Sequence, residues 1–153
     1  LNATLALARA RLLVVTVWVG SLWTIGYVVA PTLFATLDDR VLAGTIAGRL
    51  FRVEAWLSVA CAIILLILVR AFSSDLGGNQ RRTCTWLLLA MLACTLLGYF
   101  GSQPFMAALR EASGPAGVMD SDMRMKFGLL HGVSSAIYLV QSMLGVALVI
   151  KAR

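Results

Sequence analysis

Few side chains in this sequence could do chemistry, and most of those lie inside apolar stretches. Glu54, Gln103 and the one histidine, His131, interrupt aliphatic runs, with Arg52 and Tyr27 close to the same level. An ionisable group below a membrane interface costs about 2.5–3.5 kcal/mol and normally faces a bundle interior or a watery cavity. His131, Glu54, Gln103, Arg52 and Tyr27 are therefore candidates for one polar site that binds a cation or relays a proton. The structural alternative is that His131 donates to a carbonyl or to Gln103, while Glu54 pairs with Arg52 or Arg124.

A second group is chemically soft. Cys61, Cys94, Met91 and Met143, together with His131, are the candidate metal ligands. Thiolate and thioether ligands select Cu(I) and similar ions, so a ladder of them across a membrane would suit a soft-metal path. Against this, methionine and cysteine also fill irregular helix packing, and a lone histidine falls short of an ordinary metal site's three or four ligands. The cysteines show no CxxC pairing, so neither a zinc site nor a structural disulfide is expected. The sequence has no nucleophile elbow, phosphate-binding glycine loop or hydrolase-like carboxylate pair, and it requires no cofactor. An enzyme is not the expectation.

The elements that position these residues are long and apolar. The chain has 153 residues, 60% hydrophobic and 13% charged, with a mean hydropathy of +0.89. Soluble domains are nearer 45–50% apolar and about 25% charged. The net charge of +6 is spread over segment ends, as membrane topology demands, and does not form a nucleic-acid-binding patch.

Four helices are expected, at about 12–37, 41–72, 83–109 and 123–151. They form an all-α, integral membrane, up-down-up-down four-helix bundle as a single domain over 1–153. The first follows Arg9 and Arg11 and is too long for a cleaved signal peptide. Pro31 should kink it or begin its outer turn. Asp39 is the expected N-cap of the second helix, and Ser121 or Asp122 that of the fourth. The stretch 73–82 reads as a solvent loop, and Gly114-Pro115 as a turn. Gly98, Gly101 and Pro104 should loosen the third helix.

Arg9, Arg11, Arg70, Arg81, Arg82, Lys151 and Arg153 gather at one end, offset there by Asp75. The positive-inside rule then puts both termini in the cytoplasm of a cell whose inner membrane holds the protein. At about 1.5 Å per residue, Pro31, Glu54, Gln103 and His131 fall at similar depth in the outer half. Tyr27, Tyr99 and Ser134 lie slightly deeper. Arg49, Arg52, Arg124 and Lys126 form the rim.

Gly44-x3-Gly48 and Gly128-x3-Gly132-x3-Ala136 make smooth helix faces. They are expected to seat the second and fourth helices within one bundle, the alternative being a seam to a second copy or a membrane-protein partner. Trp56 and Trp86 suit an interface belt, while Trp18 and Trp23 look like packing residues.

Three motifs in register carry a family resemblance: W18-V-G20 with A30-P31-T-L33-F34, L42-A-G44-T-I-A-G48-R-L-F51, and F127-G-L-L130-H131-G132-V-S134. They resemble the transmembrane protein 205-like family, a DUF4149-like four-helix membrane domain of unknown function. Pro31, Gly44, Gly48, Phe51, Phe127, His131 and Gly132 carry the pattern, and Glu54 departs from it. The resemblance implies export of, or tolerance to, soft-metal compounds. The first helix is also similar to small haem-containing four-helix membrane proteins, but it lacks their early histidine. The expectation is a transporter or export-related protein for a cation or soft metal, working in the lipid bilayer. The alternatives are a non-catalytic assembly subunit and, behind it, a haem- or metal-holding redox protein.

Overall fold

Two prolines decide how the first and third helices are wound. Proline lacks an N–H, and its ring crowds the carbonyl four residues back. A helix accommodates this by widening a turn into a π-helix. The computed structural model describes residues 2–72, 76–114 and 118–151, and it shows that device twice. The helix Asn2–Trp23 passes through a π-turn, Thr24–Val29, into Ala30–Thr36, which opens on Pro31. Likewise Gly78–Thr95 passes through a π-turn, Leu96–Gly101, before Gln103–Ala112, which opens on Pro104. Arg40–Ala71 and Ser121–Lys151 run unbroken.

The described residues thus form four rods long and apolar enough to cross a membrane: Ala3–Thr36, Arg40–Ala71, Gly78–Ala112 and Ser121–Lys151. They are called the first to fourth spans below. No strand occurs among the described residues. The fold is all-α with four helices, and the chain is a small multi-pass membrane protein.

The helix ends differ from the sequence expectation in instructive ways. The first helix starts at Asn2 instead of near residue 12, because residues 3–13 are mostly alanine, leucine and arginine, all strong helix formers. Arg11 is consequently drawn inside the bundle end and buried. The third starts at Gly78, five residues before the expected 83. Asp39 does cap the second span, accepting from the N–H groups of Val41 and Leu42 at 2.9 and 3.1 Å. The fourth is capped by Asp120, which accepts from Met123 N–H at 2.8 Å, not by Ser121 or Asp122. Asp122 instead pairs with Lys126 at 2.7 Å. Gly114, at φ 70°, turns the chain out of the third span. Pro115, Asp75 and Arg153 lie outside the described residues.

Each span packs on its two neighbours in chain order, and the first closes the ring against the fourth. The diagonal pairs, first–third and second–fourth, do not pack backbone to backbone. Gly44, Gly48, Gly128 and Gly132 therefore do not bring the second span against the fourth. A Cβ added at Gly128 or Gly132 would meet nothing within 4 Å, and that strip faces outward.

A Cβ at Gly44 would lie 4.0 Å from Phe34 Cζ, and one at Gly48 3.6 Å from an Arg110 guanidinium nitrogen, and the closest seating uses other glycines. At Gly145 a Cβ would lie 3.2 and 3.3 Å from the Val19 methyls and 3.5 Å from Met91 Cε. This close seating belongs to the half of the bundle near the termini, where Val15, Trp18, Leu65, Val69, Leu88, Met91 and Leu148 fill the centre. Lipid tails are as apolar as leucine, so packing and interhelical hydrogen bonds carry association in a bilayer. Trp18 Nε1–H donates to Ser58 Oγ at 2.7 Å, joining the first and second spans. Tyr27 donates to Ser142 at 2.9 Å, joining the first and fourth. Gln141 donates to Thr95 at 2.9 Å, joining the fourth and third.

Gly145→Leu should force the first and fourth spans apart, with a loss of about 1–3 kcal/mol, the usual penalty of overpacking. Gly132→Leu, into open space, should leave stability within about 0.5 kcal/mol of wild type. Unfolding in mixed detergent–SDS micelles measures both, and equal losses would contradict the packing described.

Candidate functional site

Volume, not charge, opens the other half of the bundle. Where the termini-side half carries tryptophan, leucine and methionine, the far half places Ala30, Gly44, Ala47, Gly48, Ala55, Gly98, Ser134 and Ser135 around the centre. Small side chains on non-touching diagonal helices leave a cavity of about 540 Å³. Its aromatic wall comes from Tyr27, Phe34, Phe51, Tyr99 and Tyr138, and all four spans contribute to it.

Tyr138 is fixed most firmly. Its hydroxyl donates to the Leu22 carbonyl, and Phe51 meets its ring edge-on, centroids 5.5 Å apart. Tyr27 lies 6.1 Å away in the same manner. The ring occupies the space left by Gly26, where a Cβ would stand 2.9 Å from both Cζ and the hydroxyl oxygen. Gly98 does the same for Ile137, at 3.1 Å from Cγ2. Each π-turn therefore brings a glycine against the fourth span at neighbouring positions, one on either side of the cavity.

Glu54 supplies the buried charge-bearing group. It is 3% exposed and lines the cavity. One carboxylate oxygen accepts from Ser58 at 3.3 Å, and Ser58 in turn receives the Trp18 indole bond. The second oxygen, Oε2, is buried and meets no donor in good hydrogen-bond geometry, although the Ser21 hydroxyl also lies close to the carboxylate. No ion pair joins Glu54 to Arg52, Arg124 or another cation among the described residues, so the expected structural pairing is absent.

His131 lies at the opposite wall, its ring stacked on Phe127 with centroids 6.3 Å apart and planes 4° from parallel. No direct Glu54–His131 hydrogen bond forms. The two side chains stand on diagonal helices with the cavity between them. Gln103 lines the same cavity, beside Pro31. The depth ruler therefore brings Pro31, Glu54, Gln103, His131 and Tyr27 to one cavity. Arg52 is different: it is exposed on the outer face and does not line it.

Arg110 takes the place foreseen for Arg52. The sequence puts it at the start of a polar loop, but it sits in the last turn of the helix Gln103–Ala112. Its guanidinium carbon lies 5.4 Å above the Phe127 ring, close to Gly48, and it lines the cavity. Tyr138, Gln141 and Thr95 also escaped sequence reasoning. Their signal was available, since Gln141 and Thr95 interrupt apolar runs at facing depth.

The soft ladder is not assembled. Cys61 and Met91 are buried in the termini-side core, Cys94 lines the cavity, and Met143 faces outward, 67% exposed. No group of three or more histidine, cysteine, aspartate or glutamate side chains could hold a metal ion among the described residues. Trp18 is buried as expected, whereas Trp23 is half exposed and stacks edge-on against Tyr27 at 5.9 Å.

Comparison with curated proteins and with solved structures finds no match. The family model described as a domain of unknown function (DUF4149) matches residues 13–114. That range runs from the first span to the end of the third. It takes in Pro31, Gly26, Gly98, Glu54 and Arg110, and stops short of His131 and Tyr138. With more than half its length matched, the chain belongs to the DUF4149 family.

Proposed function

We propose that this protein is a membrane carrier, related to export or tolerance, whose cavity takes a small organic cation. The observation that carries this reading is the buried Glu54 carboxylate, paired with no cation among the described residues and set in a cavity with an aromatic wall. A cavity of about 540 Å³ falls in the ordinary range for small-molecule sites, about 300–1,000 Å³. A cation there meets a counter-ion and the negative faces of Tyr27, Phe51, Tyr99 and Tyr138, an attraction worth about 0.5–2 kcal/mol per well-placed ring.

The donor set favours an organic ion over a metal. Cys61, Met91 and Met143 point to different environments, and His131 and Glu54 are separated by the cavity. A metal demands several ligands converging on one point, while an organic cation spreads its charge over a volume. Arg110, which would oppose a cation, is engaged over Phe127 towards the far end. Six residues separate its neighbour Gly48 from Glu54, about 9 Å along a helix. His131 and Gln103 add polar groups to the cavity lining. The arginine-rich end bearing both termini faces the cytoplasm on this reading, so the cavity belongs to the outer half of the membrane.

Two measurements test the reading on detergent-solubilised protein, with tetraphenylphosphonium as the probe cation. Glu54→Gln should weaken binding at least about tenfold, which is 1.4 kcal/mol, while leaving thermal stability equal or higher. Unchanged affinity in a well-folded variant would sink the proposal. Phe51→Leu should weaken binding by about 2- to 30-fold, the range of one cation–π contact. A loss of folding instead would show that this ring serves packing alone.

A further inference from the structure

A second hollow, of about 440 Å³, lies at the other end of the bundle, between the close of the second span and the opening of the third. Arg70, Arg81 and Arg82 line it together with Thr85, Trp86 and Leu89. The Arg81 guanidinium donates to the Arg70 backbone carbonyl, which ties the two helix ends together and holds three arginines around one space. Among the described residues, no carboxylate pairs with any of them. In the sequence, residues 70–82 carry these three arginines against one acid, Asp75.

The apolar side of the hollow is equally specific. Trp86 and Leu89 follow Arg82 at helical spacings of four and seven, so they continue its face towards the membrane. Trp86 is 63% exposed and Leu89 40%. Guanidinium groups bind phosphate oxygens in forked pairs, and tryptophan prefers the headgroup level of a bilayer. Anionic lipids gather where basic side chains border a membrane surface.

We propose that this hollow binds an anionic phospholipid, with its phosphodiester between Arg70, Arg81 and Arg82 and an acyl chain along Trp86 and Leu89. A free phosphate shares the headgroup chemistry but has no use for the apolar rail beneath it. The inference does not depend on the Glu54 cavity, which lies in the opposite half of the bundle.

The full chain in nanodiscs of mixed phosphatidylcholine and phosphatidylglycerol, ejected into a native mass spectrometer, tests this directly. Wild type should retain phosphatidylglycerol in preference to phosphatidylcholine. Arg81→Gln with Arg82→Gln should reduce that preference roughly tenfold or more. Trp86→Leu, which keeps every charge and hence the insertion signal, should shorten lipid retention even if the double variant inserts wrongly. Equal retention of the two lipids by wild type would overturn the proposal. So would inorganic phosphate displacing phosphatidylglycerol at comparable concentration, because the site would then hold a free anion.

Discussion

The structure turns on one buried carboxylate and on what holds it. Glu54 stands at the boundary between the packed and hollow halves of the bundle, held by Ser58, which is held by Trp18. Burying a carboxylate is costly unless its oxygens are matched by donors. Here Ser58 matches one oxygen, and the other is buried with no donor in good geometry. Trp18, fully buried, both fills the core and supplies the indole N–H that orders Ser58. A chain of hydrogen bonds from Trp18 through Ser58 to Glu54 therefore joins the packed core to the cavity.

The hollow half exists because two independent constraints agree. Small residues line the centre, and the diagonal helices do not meet. The π-turns ahead of Pro31 and Pro104 then shift the upper parts of the first and third spans relative to their lower parts. Gly26 and Gly98 convert that shift into contact with Tyr138 and Ile137. Without a glycine at each turn, the fourth span could not approach closely enough to lay Tyr138 across the cavity. The wall of the proposed site is in this sense made by backbone geometry as much as by side-chain choice.

Much of this was legible in the sequence, and the limits have physical causes. Four spans followed from hydropathy, and a ruler of rise per residue placed Pro31, Glu54, Gln103 and His131 around one level. The ruler carries depth but not azimuth. It could not tell that Arg52 is exposed, that Arg110 lines the cavity, or that Met143 is exposed while Cys61 is buried. The small-xxx-small strips misled for the same reason. A strip of glycine permits a close contact without requiring one, and Gly128 and Gly132 are open. The tightest contacts that use glycine, at Gly26, Gly98 and Gly145, are isolated in sequence and become visible only when the partner ring or methyl is in place.

On the carrier reading, the two ends of the bundle have unequal work to do. The centre of the end with the termini is filled by Trp18, Leu65, Leu88, Met91 and Leu148. Opening a path through that core would part well-packed surfaces on all four spans. Changing the upper half asks less: there the centre is already hollow, and two helices already depart from α geometry next to the fourth span. Motion that exposes or covers Glu54 is thus expected at the π-turns Thr24–Val29 and Leu96–Gly101, where broken helical regularity is tolerated in a membrane because the freed backbone borders a cavity. At the opposite end, the packed core and the tie between Arg81 and the end of the second span oppose such movement.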